Sequence, residues 1–336
     1  MKMNMYKWIE ETIANKEKKA LPVLSFPSVQ KMDVTVDELT RDSDKQSQGM
    51  KIIADNFDTA AAVSYMDLSV EAEAFGSEIR FSAEEVPTVV GSIVDTEEEA
   101  EALEVPKVGA GRTGNCVEAM RKAAELITDR PVLAGCIGPF SLAGRLMDVS
   151  NAMINCYEEP DMVHIVMKKV TAFLIDYIKA FKETGINGVV VAEPLAGLLS
   201  LDLAQEFSGD YVKQIVEAVQ DENFVIVYHN CGNSTIATVD SIVNNGCRVF
   251  HFGNAIKLSE MMPHIPADFI AMGNVDPAGE FRNGTPESIY KTTTELLTEC
   301  SKYPNFVISS GCDIPPMTPW ENIDSFFKAV KDFYKA

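Results

Sequence analysis

His229, Cys231 and Cys312 are the side chains in this sequence best suited to hold a metal. In Phe224-Val-Ile-Val-Tyr-His-Asn-Cys-Gly-Asn233 an apolar run of strand length leads into His229 and Cys231. Residues two apart on a strand point to the same side, so the imidazole and the thiol can face one point, and both are preferred zinc ligands. Cys312 stands in Phe306-Val-Ile-Ser-Ser-Gly-Cys-Asp-Ile-Pro315, a second apolar run that ends at a glycine turn. Two strand ends, three ligands and an open position would make a catalytic zinc site. The same spacing also fits a core cysteine beside a hydrogen-bonded histidine, and both readings stand at this point.

The elements that must position these residues alternate regularly. Strands are expected at 21–26, 60–65, 131–136, 188–193, 224–231, 248–252, 269–272 and 306–310, with helical segments between them. Eight strand–helix units imply a parallel sheet closed into a TIM (β/α)8 barrel, within the α/β class. Residues 1–336 read as one domain. Residues 1–20 supply an amphipathic N-terminal helix, at 5–18, whose stripe of Met5, Trp8, Ile9 and Ile13 covers one end of the barrel. Residues 79–81 and 88–90 read as a small inserted hairpin. Gly109-Ala-Gly-Arg-Thr-Gly114 has the GxGxxG spacing, but Pro106 breaks the segment before it and no buried strand feeds it. It reads as a loop before a helix at 115–127 rather than a dinucleotide site.

In such barrels chemistry lies at the carboxyl ends of the strands. Asp67, Gly138, Glu193, His229, Cys231, His251, Asn274, Asp276, Cys312 and Asp313 fall there. Of these, Asp67, Asn274 and Asp276 are expected on the cofactor-binding side. Glu193 and His251 are expected at the barrel mouth as catalytic groups, because each follows an apolar strand.

With 50 acidic against 29 basic residues the net charge is −21, which argues against nucleic acid or an anionic membrane as partner. Seven scattered cysteines without a CxxC pair do not form a disulfide framework and point to a reducing, cytoplasmic setting. Cys116, Cys136, Cys156, Cys247 and Cys300 read as small buried hydrophobes. No run of about 18 apolar residues predicts a membrane span, and the N-terminus lacks the apolar core of a signal peptide.

Three motifs, His229-Asn-Cys-Gly-Asn233, Met272-Gly-Asn-Val-Asp-Pro277 and Ser310-Gly-Cys-Asp-Ile-Pro-Pro-Met-Thr-Pro319, resemble the uroporphyrinogen decarboxylase superfamily. Within it they are similar to the cobalamin-dependent branch, the methylcobamide:coenzyme M methyltransferases. The segment from Met66 to Gly76 is similar to the family's early segment, and the resemblance runs from about residue 60 to the end. It implies a TIM barrel, with zinc on His229, Cys231 and Cys312 activating a thiol as thiolate. It also implies methyl exchange between a small thiol or methylated small molecule and a corrinoid. The chain carries no Asp-x-His-x-x-Gly motif, so the corrinoid is expected on a separate protein acting in trans. A homo-oligomer is compatible with this.

The sequence departs from the family in two places. Some members place an acidic residue in the strand after His-x-Cys, where this chain has His251. That leaves the fourth zinc position open to His251, Glu193, water or substrate. A neutral His251 there would be displaced by an incoming thiol, and Glu193 would orient substrate or take a proton. The decarboxylases carry Arg-Gln-Ala-Gly-Arg-Tyr near the N-terminus, whereas residues 22–30 here contain no arginine. Two other readings remain: a tetrapyrrole decarboxylase, and a non-catalytic barrel that binds a corrinoid protein.

Overall fold

The structure is a computed structural model and describes residues 3–335. In chain order its strands are β1 (Ala62–Val63), β2 (Glu78–Arg80), β3 (Thr88–Val90), β4 (Val132–Ile137), β5 (Gly188–Ala192), β6 (Val225–Asn230), β7 (Val249–Phe252), β8 (Ile270–Val275) and β9 (Phe306–Ser310). β1 and β4 to β9 form one seven-stranded sheet in that order, and every pair in it is parallel. β2 and β3 form the separate antiparallel hairpin. Helices connect the sheet strands, among them Thr113–Leu126, Pro139–Met147, Pro160–Glu183, Pro286–Cys300 and Trp320–Lys335. Among the described residues no helix is long and apolar enough to cross a membrane.

The strand expected at 21–26 does not form a ladder. The segment is extended and lies between β9 and β1: Leu21 donates its N–H to Ile308 O (3.0 Å), and Ala60 donates to Ala20 O (2.9 Å). Further bonds run through side chains. Ser309 Oγ donates to Leu21 O (2.8 Å), Val23 N–H donates to Ser310 Oγ (3.1 Å), and Ser25 Oγ donates to Val63 O. Pro22 has no N–H to give a ladder, and the turn Phe26–Ser28 begins at once. The gap between the first and last strands is therefore spanned by an irregular segment, and the regular sheet has seven strands rather than eight.

Alternation along the strands divides the core into two layers. Leu133, Val190, Val225, Val227, Val249, Ile270, Met272 and Val307 point inward, with Leu21 and Val23 from the bridging segment. Val132, Ala134, Val189, Val191, Ile226, Phe250, Phe306 and Ile308 point outward against the helices. The N-terminal helix runs over Met5–Ala14 rather than 5–18, and residues 1 and 2 of the expected 1–20 segment lie outside the described residues. Asn4 caps its start by accepting from Lys7 N–H, and the Lys18 ammonium caps its end by donating to the carbonyls of Thr12, Ile13 and Asn15. Its buried Met5 and Ile9 close the inner layer from below, with Trp8 and Ile13 packed beside them. The GxGxxG segment is a loop leading into Thr113–Leu126.

One carboxyl sits in the apolar layer without a cation. Glu71, on the helix Val70–Ala74, accepts from Ile137 N–H (3.1 Å) through Oε1, while Oε2 has no partner. Burial pushes its pKa from 4.5 up to about 8. Between those two values the folded chain holds a proton that the unfolded chain has released. The stabilisation from this group is complete at low pH and is lost as pH rises through that window. Thermal melts from pH 5 to 8 should therefore show a smaller loss of Tm in Glu71→Gln than in the wild type. Parallel curves would remove Glu71 as the source.

Candidate metal and thiol site

β6 carries His229 inward, because Val225 and Val227 of the same phase line the inner layer. Cys231 continues that phase one residue beyond the strand end. The close turn that aims it depends on two glycines. A Cβ on Gly232 would lie 2.5 Å from the Gly197 backbone, and one on Gly253 would lie 2.2 Å from Cys231 Cβ. Asn230 points outward and holds the turn, its Oδ1 accepting from Gly232 N–H (2.9 Å) and Thr235 Oγ1 (2.9 Å). Cys312 arrives from the loop after β9, where Gly311 N–H donates to Val275 O (2.7 Å).

These placements bring three potential ligands, one imidazole and two thiols, to one point. One potential ligand atom each from His229, Cys231 and Cys312 lie within 4.8 Å of one another. His229 Nε2 is 3.6 Å from Cys312 Sγ. Tetrahedral zinc with bonds of about 2.0–2.3 Å separates neighbouring ligand atoms by about 3.5–3.8 Å, so the residues fit that ion. The two thiols also act on each other. The hydrogen bond between them holds Cys231 below the ordinary thiol value, while that bond and burial push Cys312 up to about 12. One thiolate is favoured and a second is resisted, which is the situation a cation relieves. The other cysteines are different in kind: burial raises Cys116, Cys136, Cys156, Cys247 and Cys300.

His251 stands beside His229 in register on β7, with ring centroids 4.6 Å apart. It falls outside the three-residue ligand group. Its Nε2–H donates to Ser310 O (2.7 Å), with Ser309 Oγ 3.1 Å away, which fixes the tautomer and leaves Nδ1 buried without a partner. Burial and the neighbouring His229 push its pKa down to about 3, so the ring is neutral near pH 7.

A cavity of about 130 Å³ opens over this group. It is lined by Val23, Met66, Leu68, Val190, Ala192 and Pro194, and by His229, Cys231, His251, Cys312 and Asp313. Asp313 is its acidic member. Met66 N–H donates to Asp313 Oδ2 (2.6 Å), Oδ1 has no partner, and burial raises the carboxyl's pKa. The Gly311-Cys-Asp313 spacing was the available signal for it.

The remaining expected site residues are held elsewhere. Glu193 does not reach the cavity. Ala192 is the residue in register with His229, so Glu193 takes the opposite, outward phase. Its carboxylate is buried at the start of the helix Pro139–Met147. There Oε2 accepts from Phe140 N–H (3.1 Å), and Oε1 accepts from Ser141 N–H (2.6 Å) and Ser141 Oγ (2.8 Å). Gly138 leaves room for it, since a Cβ there would meet Glu193 Oε2 at 2.1 Å. Burial still outweighs these donors and raises its pKa to about 7. Asp67 pairs with Arg112, which also binds Glu73 (2.6 Å) and Ser69 Oγ (2.8 Å). Asn274 donates to the carbonyls of Gly253 (3.0 Å) and Ile256 (2.9 Å). Asp276 caps the turn Pro277–Arg282 by accepting from Ala278 N–H and Gly279 N–H.

Truncating Glu193 leaves three donors buried without an acceptor. Glu193→Ala should lower stability by about 2–5 kcal/mol while metal content stays at the wild-type level, as read by denaturant melts and elemental analysis. Metal loss without destabilisation would contradict this placement.

The profile of the uroporphyrinogen decarboxylase (URO-D) family matches residues 19–333. The chain is 27% identical over 274 residues to the methylcobamide:CoM methyltransferase MtbA of Methanosarcina acetivorans, covering 80% of this chain and 78% of that protein. It is 26% identical over 291 residues to the uroporphyrinogen decarboxylase of Coxiella burnetii, covering 82% and 78%. Its fold matches the solved structure of a methyltransferase from Methanosarcina mazei with a TM-score of 0.85 and 22% identity, over 99% of this chain and 98% of that one. The chain belongs to the uroporphyrinogen decarboxylase family.

Proposed function

We propose that this protein is a zinc-dependent methyltransferase that moves a methyl group between a corrinoid, carried by a separate protein, and a small thiol or methylated small molecule. The observation that carries this reading is the convergence of His229, Cys231 and Cys312 under a small cavity. Zinc bound by these residues would lower the pKa of a coordinated thiol so that it reacts as the thiolate. The chain's own groups do the rest. Val23, Leu68, Val190 and Ala192 give the cavity apolar walls that exclude water from the sulfur. His251, locked by the Ser310 carbonyl, supports the His229 ring from the neighbouring strand. The similarity to MtbA supports a corrinoid partner, and makes coenzyme M a first thiol to try. In this reading residues 20–25 complete a TIM-type barrel, the chain works as one domain, and its scattered thiols fit a cytoplasmic setting.

Decarboxylation of a porphyrinogen fits less well, although decarboxylases are also among the relatives. None of the residues lining the cavity is an arginine or lysine, and several substrate carboxylates call for such partners. A cavity of about 130 Å³ suits a small thiol, whereas drug-sized ligands occupy about 300–1,000 Å³.

Two measurements test the proposal. Elemental analysis should find one zinc per chain in the wild type and strong zinc loss in a folded Cys312→Ser variant. Unchanged zinc there would sink the ligand assignment. Free methylcobalamin with small thiols, coenzyme M among them, should lose its methyl-cobalt spectrum with the wild type and yield the methyl thioether, with the rate falling at least about 100-fold in Cys312→Ser. Coproporphyrinogen formed from uroporphyrinogen, with no methyl transfer, would establish the decarboxylase instead.

A further inference from the structure

One carboxyl in the wall of the cavity over His229, Cys231 and Cys312 has an oxygen unspent. Asp313 follows Cys312 in the loop after β9. Its Oδ2 accepts from Met66 N–H (2.6 Å), which fixes the carboxyl against the segment that follows β1. Its Oδ1 is buried and has no partner. Among the described residues no lysine, arginine or histidine pairs with Asp313. Asp67 and Glu73, by contrast, share Arg112, and Glu193 takes donors from Phe140 and Ser141. His251 adds a second unspent acceptor to the lining: its Nε2–H is given to Ser310 O, so its buried Nδ1 carries a lone pair. The rest of the lining outside the metal-binding group is apolar. A structural tie alone does not call for an acid here. Asparagine at this position would accept the same hydrogen bond from Met66 without placing a charge in an apolar wall.

We propose that Asp313 is an amine subsite, holding a protonated amino group on the same small molecule whose sulfur sits at the His229, Cys231 and Cys312 centre. Charge favours this class. A divalent zinc ion on the two thiolates would leave the centre neutral, and a substrate thiolate would make it negative. A positive group beside it is then attracted and a negative one repelled. A buried carboxylate needs a cation or donors around it. An ammonium supplies both, with N–H donors for Oδ1 and for His251 Nδ1 in the same lining. The proposal rests on the thiol-binding reading above and names the chemical class of its substrate: short aminothiols, or their methyl thioethers. Asp313 then decides which thiols are accepted, while the sulfur chemistry stays with the metal-binding group.

The test is direct binding of cysteamine, 1-propanethiol and 3-mercaptopropionate to the zinc-loaded protein, by calorimetry and without turnover. Asp313→Asn keeps an acceptor for Met66 N–H and should retain wild-type zinc by elemental analysis. Each thiol is compared with itself in wild type and variant, so differences in acidity between the thiols cancel. Cysteamine should bind about 10–100-fold more weakly to Asp313→Asn, the range of a hydrogen bond to a charged group. 1-Propanethiol should bind equally to both, and 3-mercaptopropionate equally or more tightly to the variant. Unchanged cysteamine affinity in a folded variant, or an equal loss for all the thiols, would overturn the subsite. A loss confined to 3-mercaptopropionate would make Asp313 a donor to an oxyacid and overturn it as well. Asp313→Ser in the same comparison decides if the asparagine variant does not fold. Binding of no thiol to the zinc-loaded wild type would overturn the thiol-binding reading and the subsite with it. Thiols bound without any dependence on Asp313 would overturn the subsite alone.

Discussion

The two-residue alternation of side chains along parallel strands decides which groups share the cavity. Register locks each strand to the next: Ala192 opposite His229, His229 opposite His251, and His251 opposite Met272. Once Val225 and Val227 are committed to the inner apolar layer, His229 and Cys231 must follow them inward. The convergence of His229 and Cys231 is thus a by-product of where the core needs its valines. A shift of one residue in β6 would send His229 into the helix layer and bring Tyr228 and Asn230 inward.

The same rule explains what was legible beforehand. His229 and Cys231 could be placed together because the sequence shows them two apart at the end of one strand. Cys312 could be added as a third soft ligand at the end of another apolar run, although nothing local says which loop it will face. Glu193 was misplaced because Val189, Val190 and Val191 are all apolar. A strand buried on both faces hides its phase, and only the register with β6 reveals that Ala192 faces in. Asp67 was drawn away by Arg112, 45 residues later, a pairing that neither segment announces. Asp276, expected on the cofactor-binding side, caps a turn instead, as an aspartate before proline commonly does. The missing first strand has a local signal in Pro22, set among apolar neighbours of the kind that form strands.

Charge is handled in two ways around the site. Away from the two cysteines, buried Asp67 and half-buried Glu73 pair with Arg112, and buried Glu193 accepts hydrogen bonds at the start of a helix. Phe81 extends the first of these groups, with the Arg41 guanidinium 3.6 Å and the Arg112 guanidinium 4.9 Å from its ring centre. That contact fastens the hairpin to the body by cation–π attraction. The cavity itself is kept mostly apolar, which strengthens whatever electrostatic interactions remain inside it.

The bridging segment has a consequence for the order of assembly. Leu21 meets Ile308, and Val23 meets Ser310, a sequence separation of 287 residues. Local helices and hairpin can form early, but the seam cannot be sewn until the last strand has left the ribosome. Until then the inner valines are open on one side and the chain is exposed to mispairing along its two free sheet edges. Contacts so distant in sequence are slow to form. Residues 21–23 emerge before the strands they join and are therefore among the last parts to find their place.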